Sequence, residues 1–347
     1  MIPAKSYAAF DPQSPLRPYD LERREAGPHD VVIDIAYCGI CHSDLHFVHN
    51  DLGNSRYPLV PGHEIVGTVA QVGSAVTGFK PGDRVGVGCM VNACLQCDPC
   101  KRGEEQFCRN GFVGTYGGVD RDGTMTQGGY STKVTVNESF VLHIPESLPL
   151  DQAAPLLCAG ITTYSPLRTW GVGPGKKVAI IGLGGLGHMA VKLAAALGAE
   201  VTVVSTSDRK KADALAMGAK HFLVSKDPAA MAAAKGRFDL IINTVSATHE
   251  MDSHLGLLDT DGTMVMLGLT TEAMPTSALP LIMGRRRLAG SLIGGIRETQ
   301  EMLDFCAQHG ITSDIEVIPA ERINEAYERL MKSDVRYRFV IDTATMG

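Results

Sequence analysis

A chain of 347 residues is longer than one hydrophobic core usually organises, so two domains are expected. Hydrophobic residues at 44% and charged residues at 20% describe an ordinary globular protein and exclude a disordered or fibrous one. The net charge of -6 and pI near 6.0 exclude a nucleic-acid binder, which needs a basic face, and no run of about 18 apolar residues offers a membrane span.

In chain order, Met1 to Ser6 is followed by Asp11, Pro12 and Pro15 and lacks the apolar centre of a signal peptide, so a cytoplasmic location is expected. Reducing conditions there turn the nine cysteines away from disulfides and toward metal. Up to about Pro149 the sequence reads as short strands broken by Gly and Pro. Val31–Ala36, Ile65–Val72 and Ser131–Val136 are β-rich runs, and the turn Pro81-Gly82-Asp83 feeds a strand over Arg84–Val87. After Pro149 strands alternate with helices. Strands are expected over Val178–Ile181, Val201–Val204, Leu240–Asn243 and Thr263–Leu267, with helices over Ala190–Leu197 and Lys210–Met217. That alternation implies a parallel sheet. A helical piece over Thr299–Gln308 and a stretch marked by Glu321, Tyr327 and Leu330 lead to a closing strand, Tyr337–Ile341, whose texture belongs with the first domain. The class is α/β. A β-rich domain over 1–153, completed by 297–347, flanks a doubly wound domain over 154–296. The basic cluster Arg285–Arg287 reads as a solvated face, and Arg209 and Lys211 as a solvated helix start.

Cys94-x2-Cys97-x2-Cys100-x7-Cys108 gathers four thiols in fifteen residues. Zinc takes four thiolates tetrahedrally, and two-residue gaps let one loop wrap the ion. An iron–sulfur cluster is the chemical alternative. With sulfur at every position there is no open coordination site, so such a metal is structural. Cys41, His63, Glu64 and Cys158 form the remaining metal-capable set. Two sulfurs and one imidazole would leave a fourth position for water or an alcohol oxygen, although each residue stands alone in sequence. Cys38, Cys89 and Cys306 read as small buried hydrophobes.

Val178–Ile181 runs into Gly182-Leu183-Gly184-Gly185-Leu186-Gly187, a G-x-G-x-x-G turn between a strand and a helix. Gly182 suits the tight turn, Gly184 the close approach of a pyrophosphate, and Gly187 the helix–strand packing. The helix N-terminus then faces the phosphate charge. At the end of the next strand, an acidic residue would hold a ribose 2′-hydroxyl. Here Ser205, Thr206, Ser207 and Lys210 offer hydroxyls and a cation, which suit a 2′-phosphate and so favour NADP(H). Asp208 lies past the strand end, where it is expected to cap the next helix.

The stretch Gly39–His46, the Gly62-His63-Glu64 unit, the Cys94–Cys108 lobe and Cys158–Thr162 resemble the zinc-dependent medium-chain alcohol dehydrogenases, and more narrowly their cinnamyl alcohol dehydrogenase and aldehyde reductase branch. The resemblance implies a GroES-like catalytic domain plus a Rossmann domain, two zinc ions per chain, NADP(H), and reversible hydride transfer between primary alcohols and aldehydes. It implies that Cys41, His63 and Cys158 hold a catalytic zinc, with Glu64 as an alternating ligand or as support. Ser43 and His46 would form a proton relay to solvent, and Asp44 would orient the metal ligands. Cofactor contacts are implied at Thr162, Thr244, Gly268, Ser291 and Ile293, beside the hydroxyl cluster and Lys210. The branch also implies a homodimer through the Rossmann sheet edge near Gly290–Gly295. Plant lignin enzymes of this branch carry a tryptophan after the fourth lobe cysteine. Phe112–Tyr116 has none, and the single Trp170 lies elsewhere, so a broad range of aromatic and aliphatic aldehydes is expected. A zinc polyol dehydrogenase of the same superfamily is the alternative.

Overall fold

The computed structural model describes residues 1–270 and 272–347. They form two compact units, Met1–Ile161 with Gly294–Gly347, and Thr162–Ile293. Against the expected limits of 153 and 296, the first unit thus gains the segment through Ile161, and its second piece starts at Gly294.

The first unit is built on a seven-stranded sheet. Its order is Ile315–Pro319, Arg338–Asp342, Asp30–Ile40, Ile65–Val72, Arg84–Val87 and Leu142–His143, with Lys133–Asn137 also paired to Asp30–Ile40. The eleven-residue strand Asp30–Ile40 is the hub. It takes antiparallel partners on both sides, and its register against Ile65–Val72 shifts twice, between Val32 and Ile33 and between Ile35 and Tyr37. Such shifts bend a strand and raise its local twist. Ile33, Ile40, Ile65, Leu142 and Phe140 are fully buried around it. The C-terminal strand pairs antiparallel with this hub, Phe339 opposite Ile40, so the end of the chain completes the sheet begun near its start.

Immediately after the hub comes a helix the β-rich texture did not announce, His42–Val48. Cys41 sits at its N-cap in extended backbone, and the Asp44 carboxylate reaches back to accept from Cys41 N–H at 2.8 Å. That bond is half of a capping box, with cysteine where serine or threonine is usual.

The second unit is a six-stranded sheet, parallel throughout. Its order is His221–Val224, Glu200–Ser205, Lys177–Ile181, Phe238–Asn243, Leu258–Met266 and Arg287–Gly290. Numbered by sequence within the unit, this is 3-2-1-4-5-6, the order of a dinucleotide-binding sheet. Central strands are buried on both faces, hence the unbroken Val178–Ile181 and Leu240–Ile242 runs. The helix expected from Ala190 begins five residues earlier, covering Gly185–Ala196. Glycine's poor helix propensity hid that start, which the turn geometry imposes. The strand expected from Thr263 starts at Leu258, which pairs with Phe238, and the turn-like Asp259–Gly262 is bulged out of the register before Thr263 pairs with Leu240. Asp208 does not cap the next helix. It opens a 3-10 turn, Asp208–Lys210, whose N-cap is Ser207, and the helix Lys211–Ala216 follows without a side-chain cap. The chain needs that extra turn to leave the strand before the helix can start. Among the described residues no helix is long and apolar enough to cross a membrane.

Candidate metal centres and cofactor site

The four-cysteine lobe closes on itself. Cys94 and Cys100 Sγ lie 3.9 Å apart, Cys97 and Cys100 3.5 Å, and Cys97 and Cys108 4.0 Å. Tetrahedral thiolates at about 2.3 Å from zinc would stand about 3.8 Å from one another, so these spacings fit one ion. All four cysteines are free thiols. Backbone N–H groups of Cys97, Cys94 and Arg109 donate to Cys94, Cys108 and Cys97 sulfurs, each at 3.4 Å. Those of Gln96 and Cys97 pull the Cys94 thiol down to about 6. Backbone donors lower the Cys97 thiol too, while burial raises Cys100 to about 12, so two of the four sulfurs favour the thiolate before any ion contributes.

A second cluster assembles deep in the first unit. Cys41 caps its helix, His63 and Glu64 precede the strand Ile65–Val72, and Cys158 ends the 3-10 turn Ala154–Leu157. Their ligand atoms all lie within 4.8 Å of one another, and all four residues are buried. Cys41 and Cys158 Sγ are 3.8 Å apart, again the tetrahedral spacing. The sulfhydryl of Cys158 lowers the Cys41 thiol well below its ordinary range, opposed by burial and helped by His63.

The surroundings orient this set. His63 Nδ1 stands 3.3 Å from Asp44 Oδ1, which leaves Nε2 for a metal, and its ring stacks on Tyr116 at 5.6 Å between centroids. Glu64 is fully buried and ion-pairs with Arg338, itself buried. Its other oxygen, Oε2, has no hydrogen-bond partner among the described residues. Burial raises the Glu64 carboxyl to about 7 against the opposing charge of Arg338. Ser43 Oγ lies 3.7 Å from Cys41 Sγ. His46, one turn further along the helix, has Nδ1 2.7 Å from Asp51 Oδ2. Cys89 is only half-buried and its thiol faces the Leu157 carbonyl at 3.8 Å, whereas Cys38 and Cys306 are fully buried as expected of small apolar residues. The expectation for Cys89 is therefore corrected: it borders the second cluster, and Cys158 lowers its thiol.

In the second unit the glycine turn has the three properties a dinucleotide requires. Gly182 has φ of 88°, which suits glycine. A side chain at Gly184 would meet nothing within 4 Å, so the backbone there stays open to a phosphate. A Cβ at Gly187 would come 2.1 Å from the Gly182 carbonyl, so only glycine lets the helix pack this close. Leu183, Gly185 and Leu186 complete the turn and open the helix.

Thr206, Ser207, Thr244, Gly268, Ser291 and Ile293 follow the carboxyl ends of parallel strands, and Ser205 ends its own. This is the edge where such sheets bind ligands. Lys210 Nζ reaches back to the Leu183 carbonyl at 2.8 Å, which puts its ammonium beside the glycine turn. Thr244 Oγ1 donates to the Ile181 carbonyl at 2.8 Å and thereby ties two strand ends together. Ile293 has φ of 36°, a conformation a β-branched residue adopts only at a cost. Thr162 lies apart from this row, on the helix Ala159–Thr169.

Two family models match the chain, an alcohol dehydrogenase GroES-like domain over residues 27–146 and a zinc-binding dehydrogenase domain over 185–308. NADP-dependent alcohol dehydrogenase C 1 of Mycolicibacterium smegmatis is 58% identical over 347 residues, covering 100% of this chain and 99% of that one. The chain belongs to the zinc-binding alcohol dehydrogenase family. Among solved structures, a cinnamyl alcohol dehydrogenase from Sorghum bicolor superposes with a TM-score of 0.96 at 49% identity, over 99% of this chain and 98% of that one. An enzyme of the same kind from Helicobacter pylori, solved with NADP(H), gives 0.93 at 44% identity, over 99% of both chains.

Arg338 and Asp51 are among the site residues that escaped the sequence reading. Arg338 pairs with Glu64 across 274 positions, a distance no local pattern reveals. Asp51 had a signal available: it lies five residues past His46, where the chain turns back after the short helix.

Proposed function

We propose that this chain interconverts primary alcohols and aldehydes with NADP(H), using a zinc ion held by Cys41, His63 and Cys158. The observation that carries the reading is the second cluster: two sulfurs at tetrahedral spacing and one imidazole within 4.8 Å of them, built unlike the closed four-sulfur lobe. When bound, zinc supplies Lewis acidity at the substrate oxygen and NADP(H) accepts or delivers the hydride. The relatives named above as NADP-dependent or solved with NADP(H) support the cofactor choice.

The chain's own residues supply the rest. Asp44 holds the His63 ring so that Nε2 is presented. Ser43, beside the Cys41 sulfur, takes the proton of the alcohol hydroxyl and passes it toward His46, whose ring is steadied by Asp51. In aldehyde reduction the same groups return it. Glu64 supports the ligand set and, through its unpartnered oxygen, is able to serve as an alternating ligand. Cys94, Cys97, Cys100 and Cys108 hold a second, structural zinc. In the other unit, Gly182–Gly187 cradles the pyrophosphate, while Ser205, Thr206, Ser207 and Lys210 take the 2′-phosphate. Thr162, Thr244, Gly268, Ser291 and Ile293 complete the contacts. The substrate range is broad and includes aromatic aldehydes.

A homodimer fits the outer strand Arg287–Gly290, whose far edge is unpaired within the sheet. Leu279, Ile282, Met283 and Leu292 are exposed nearby in sequence, an apolar set that a second copy would cover. A reducing, cytoplasmic setting suits nine unpaired cysteines.

The test is an absorbance assay of NADPH and NADH oxidation with aliphatic, benzylic and cinnamyl aldehydes and a ketose, before and after zinc chelation. NADPH-selective, chelator-sensitive aldehyde turnover is expected. Absence of turnover in a sample carrying both zincs would refute the reading, and ketose preference would move it to a polyol dehydrogenase.

A further inference from the structure

Asp44 is fully buried, and four donors meet its two oxygens. Gly62 N–H at 3.2 Å and His63 Nδ1 at 3.3 Å approach Oδ1, while Cys41 N–H at 2.8 Å and the Tyr130 hydroxyl at 3.1 Å approach Oδ2. A carboxylate has about four lone-pair directions, so this one is saturated. Three donors belong to the loops that carry Cys41 and His63. The fourth, Tyr130, arrives from 86 residues further along the chain.

Tyr130 is itself fixed. Its side chain is fully buried, and its loop is strapped to the one that presents His63. Gly128 N–H donates to the Val60 carbonyl at 2.7 Å, Gly129 N–H to Gly62 at 2.9 Å and Tyr130 N–H to Pro61 at 2.9 Å. Behind it, on the helix Ile323–Met331, the buried Tyr327 hydroxyl lies 3.3 Å from the Tyr130 oxygen. The direction of this chain is forced. Asp44 only accepts, so Tyr130 spends its single proton on Asp44 and must accept from Tyr327. Burial, with the charge of Asp44, keeps both phenols well above their ordinary pKa, so both stay donors.

We propose that Tyr130, polarised by Tyr327, is a positioning residue for the metal: through Asp44 it fixes the His63 ring that presents Nε2 to the ion. This rests on the assignment of Cys41, His63 and Cys158 as zinc ligands. With Tyr130 lost, Oδ2 keeps one partner and the carboxylate plane is free to turn away from Nδ1. Partners at this remove from a metal change its affinity by about 10- to 100-fold, and Tyr130 acts one bond further out, at the low end of that range. Hydrogen bonds in a chain polarise one another, so Tyr327 contributes only through the Tyr130 hydroxyl.

The test uses the zinc-loaded enzyme and two readouts besides turnover: zinc retention at each site by chelator competition, and the ligand-field spectrum after cobalt replaces zinc in the second cluster. Tyr130→Phe is expected to weaken zinc there about 10-fold and shift the cobalt bands, leaving the four-cysteine lobe unchanged. Tyr327→Phe is expected to weaken it about 2- to 4-fold, and the double variant no more than Tyr130→Phe alone. An unchanged affinity and spectrum in Tyr130→Phe, or additive effects in the double variant, would overturn the inference. Should Tyr130→Phe fail to fold, Tyr327→Phe decides by the same readouts, and no change in either overturns it. A parent enzyme that holds zinc in the lobe alone would instead overturn the ligand assignment, and this inference with it.

Discussion

Lys210 is the residue on which cofactor choice can be tested most sharply, because its bond within the structure and its proposed contact with the 2′-phosphate are separable. Its ammonium donates to the Leu183 carbonyl at 2.8 Å, and it stands three and four residues past the hydroxyls of Ser207 and Thr206 at the end of the strand Glu200–Ser205. In Lys210→Met the stem remains and the charge is lost. If the ammonium binds the 2′-phosphate, one charge-assisted hydrogen bond disappears, about 1.5–3 kcal/mol. At tenfold per about 1.4 kcal/mol, NADPH should bind roughly 10- to 150-fold more weakly. NADH has no 2′-phosphate and should change by less than about 3-fold, since water can replace the bond from the ammonium to the Leu183 carbonyl at a half-exposed site. Fluorescence titration of each cofactor against parent and variant measures both numbers. Added salt should narrow the NADPH difference, because the site is open enough for screening. Equal weakening of both cofactors would refute the phosphate role and leave Lys210 only as a brace for the glycine turn.

The other expectations concern metal, packing and pH. Cys100→Ser should reduce the zinc content from two sites to one and lower the unfolding temperature, measured by metal analysis and calorimetry; retention of both ions would contradict the lobe assignment. In Gly39→Ala the new Cβ would stand 1.9 Å from Glu64 Oε2, so a buried carboxylate tied to Arg338 must move. Overpacking alone costs about 1–3 kcal/mol, and a urea midpoint no lower than the parent's would count against that fit. Burial alone would raise the Asp30 carboxyl, but Arg24 and the Gly27 N–H hold it below its usual 3.8. Its contribution is therefore complete above about pH 3.8 and fades as the pH falls below that value. Asp30→Asn should be less stable than the parent at neutral pH and converge on it in acid. A stability gap that is constant with pH would show that the ion pair is not responsible.

What the sequence disclosed follows the range of the interactions involved. Strands buried on both faces announce themselves as apolar runs, and the glycine turn announces itself because three backbone constraints fall within six residues. Cys94–Cys108 was legible for the same reason. The helix His42–Val48 was not, since its seven residues carry no clear apolar period and its start depends on Asp44 reaching back to Cys41. Nor was the environment of the second cluster. Cys41 and Cys158 are 117 positions apart, and Tyr130 and Tyr327 are 197. Only the folded sheet brings them together, through a hub strand that pairs with both halves of the split first unit. Residue type could nominate Cys41, His63, Glu64 and Cys158 as a set, but resemblance had to supply the pairing.

Two buried carboxylates flank the same cluster, and their hydrogen bonding separates their roles. Asp44 has donors on both oxygens, two of them backbone N–H groups, that of Cys41 at the helix start and that of Gly62 in the loop carrying His63. To approach a metal it would have to abandon bonds that nothing in the buried site could replace, a cost of several kcal/mol. Glu64 has one oxygen on Arg338 and the other without a partner. An unpaired buried oxygen is already penalised, so turning it onto a cation costs little and relieves that penalty. Arg338 keeps the remaining oxygen satisfied, and Gly39 leaves room for Oε2 where any larger residue would displace it. Under the proposed zinc assignment, the saturated carboxylate would therefore be the fixed scaffold of His63, and the half-satisfied one the group free to exchange partners during turnover.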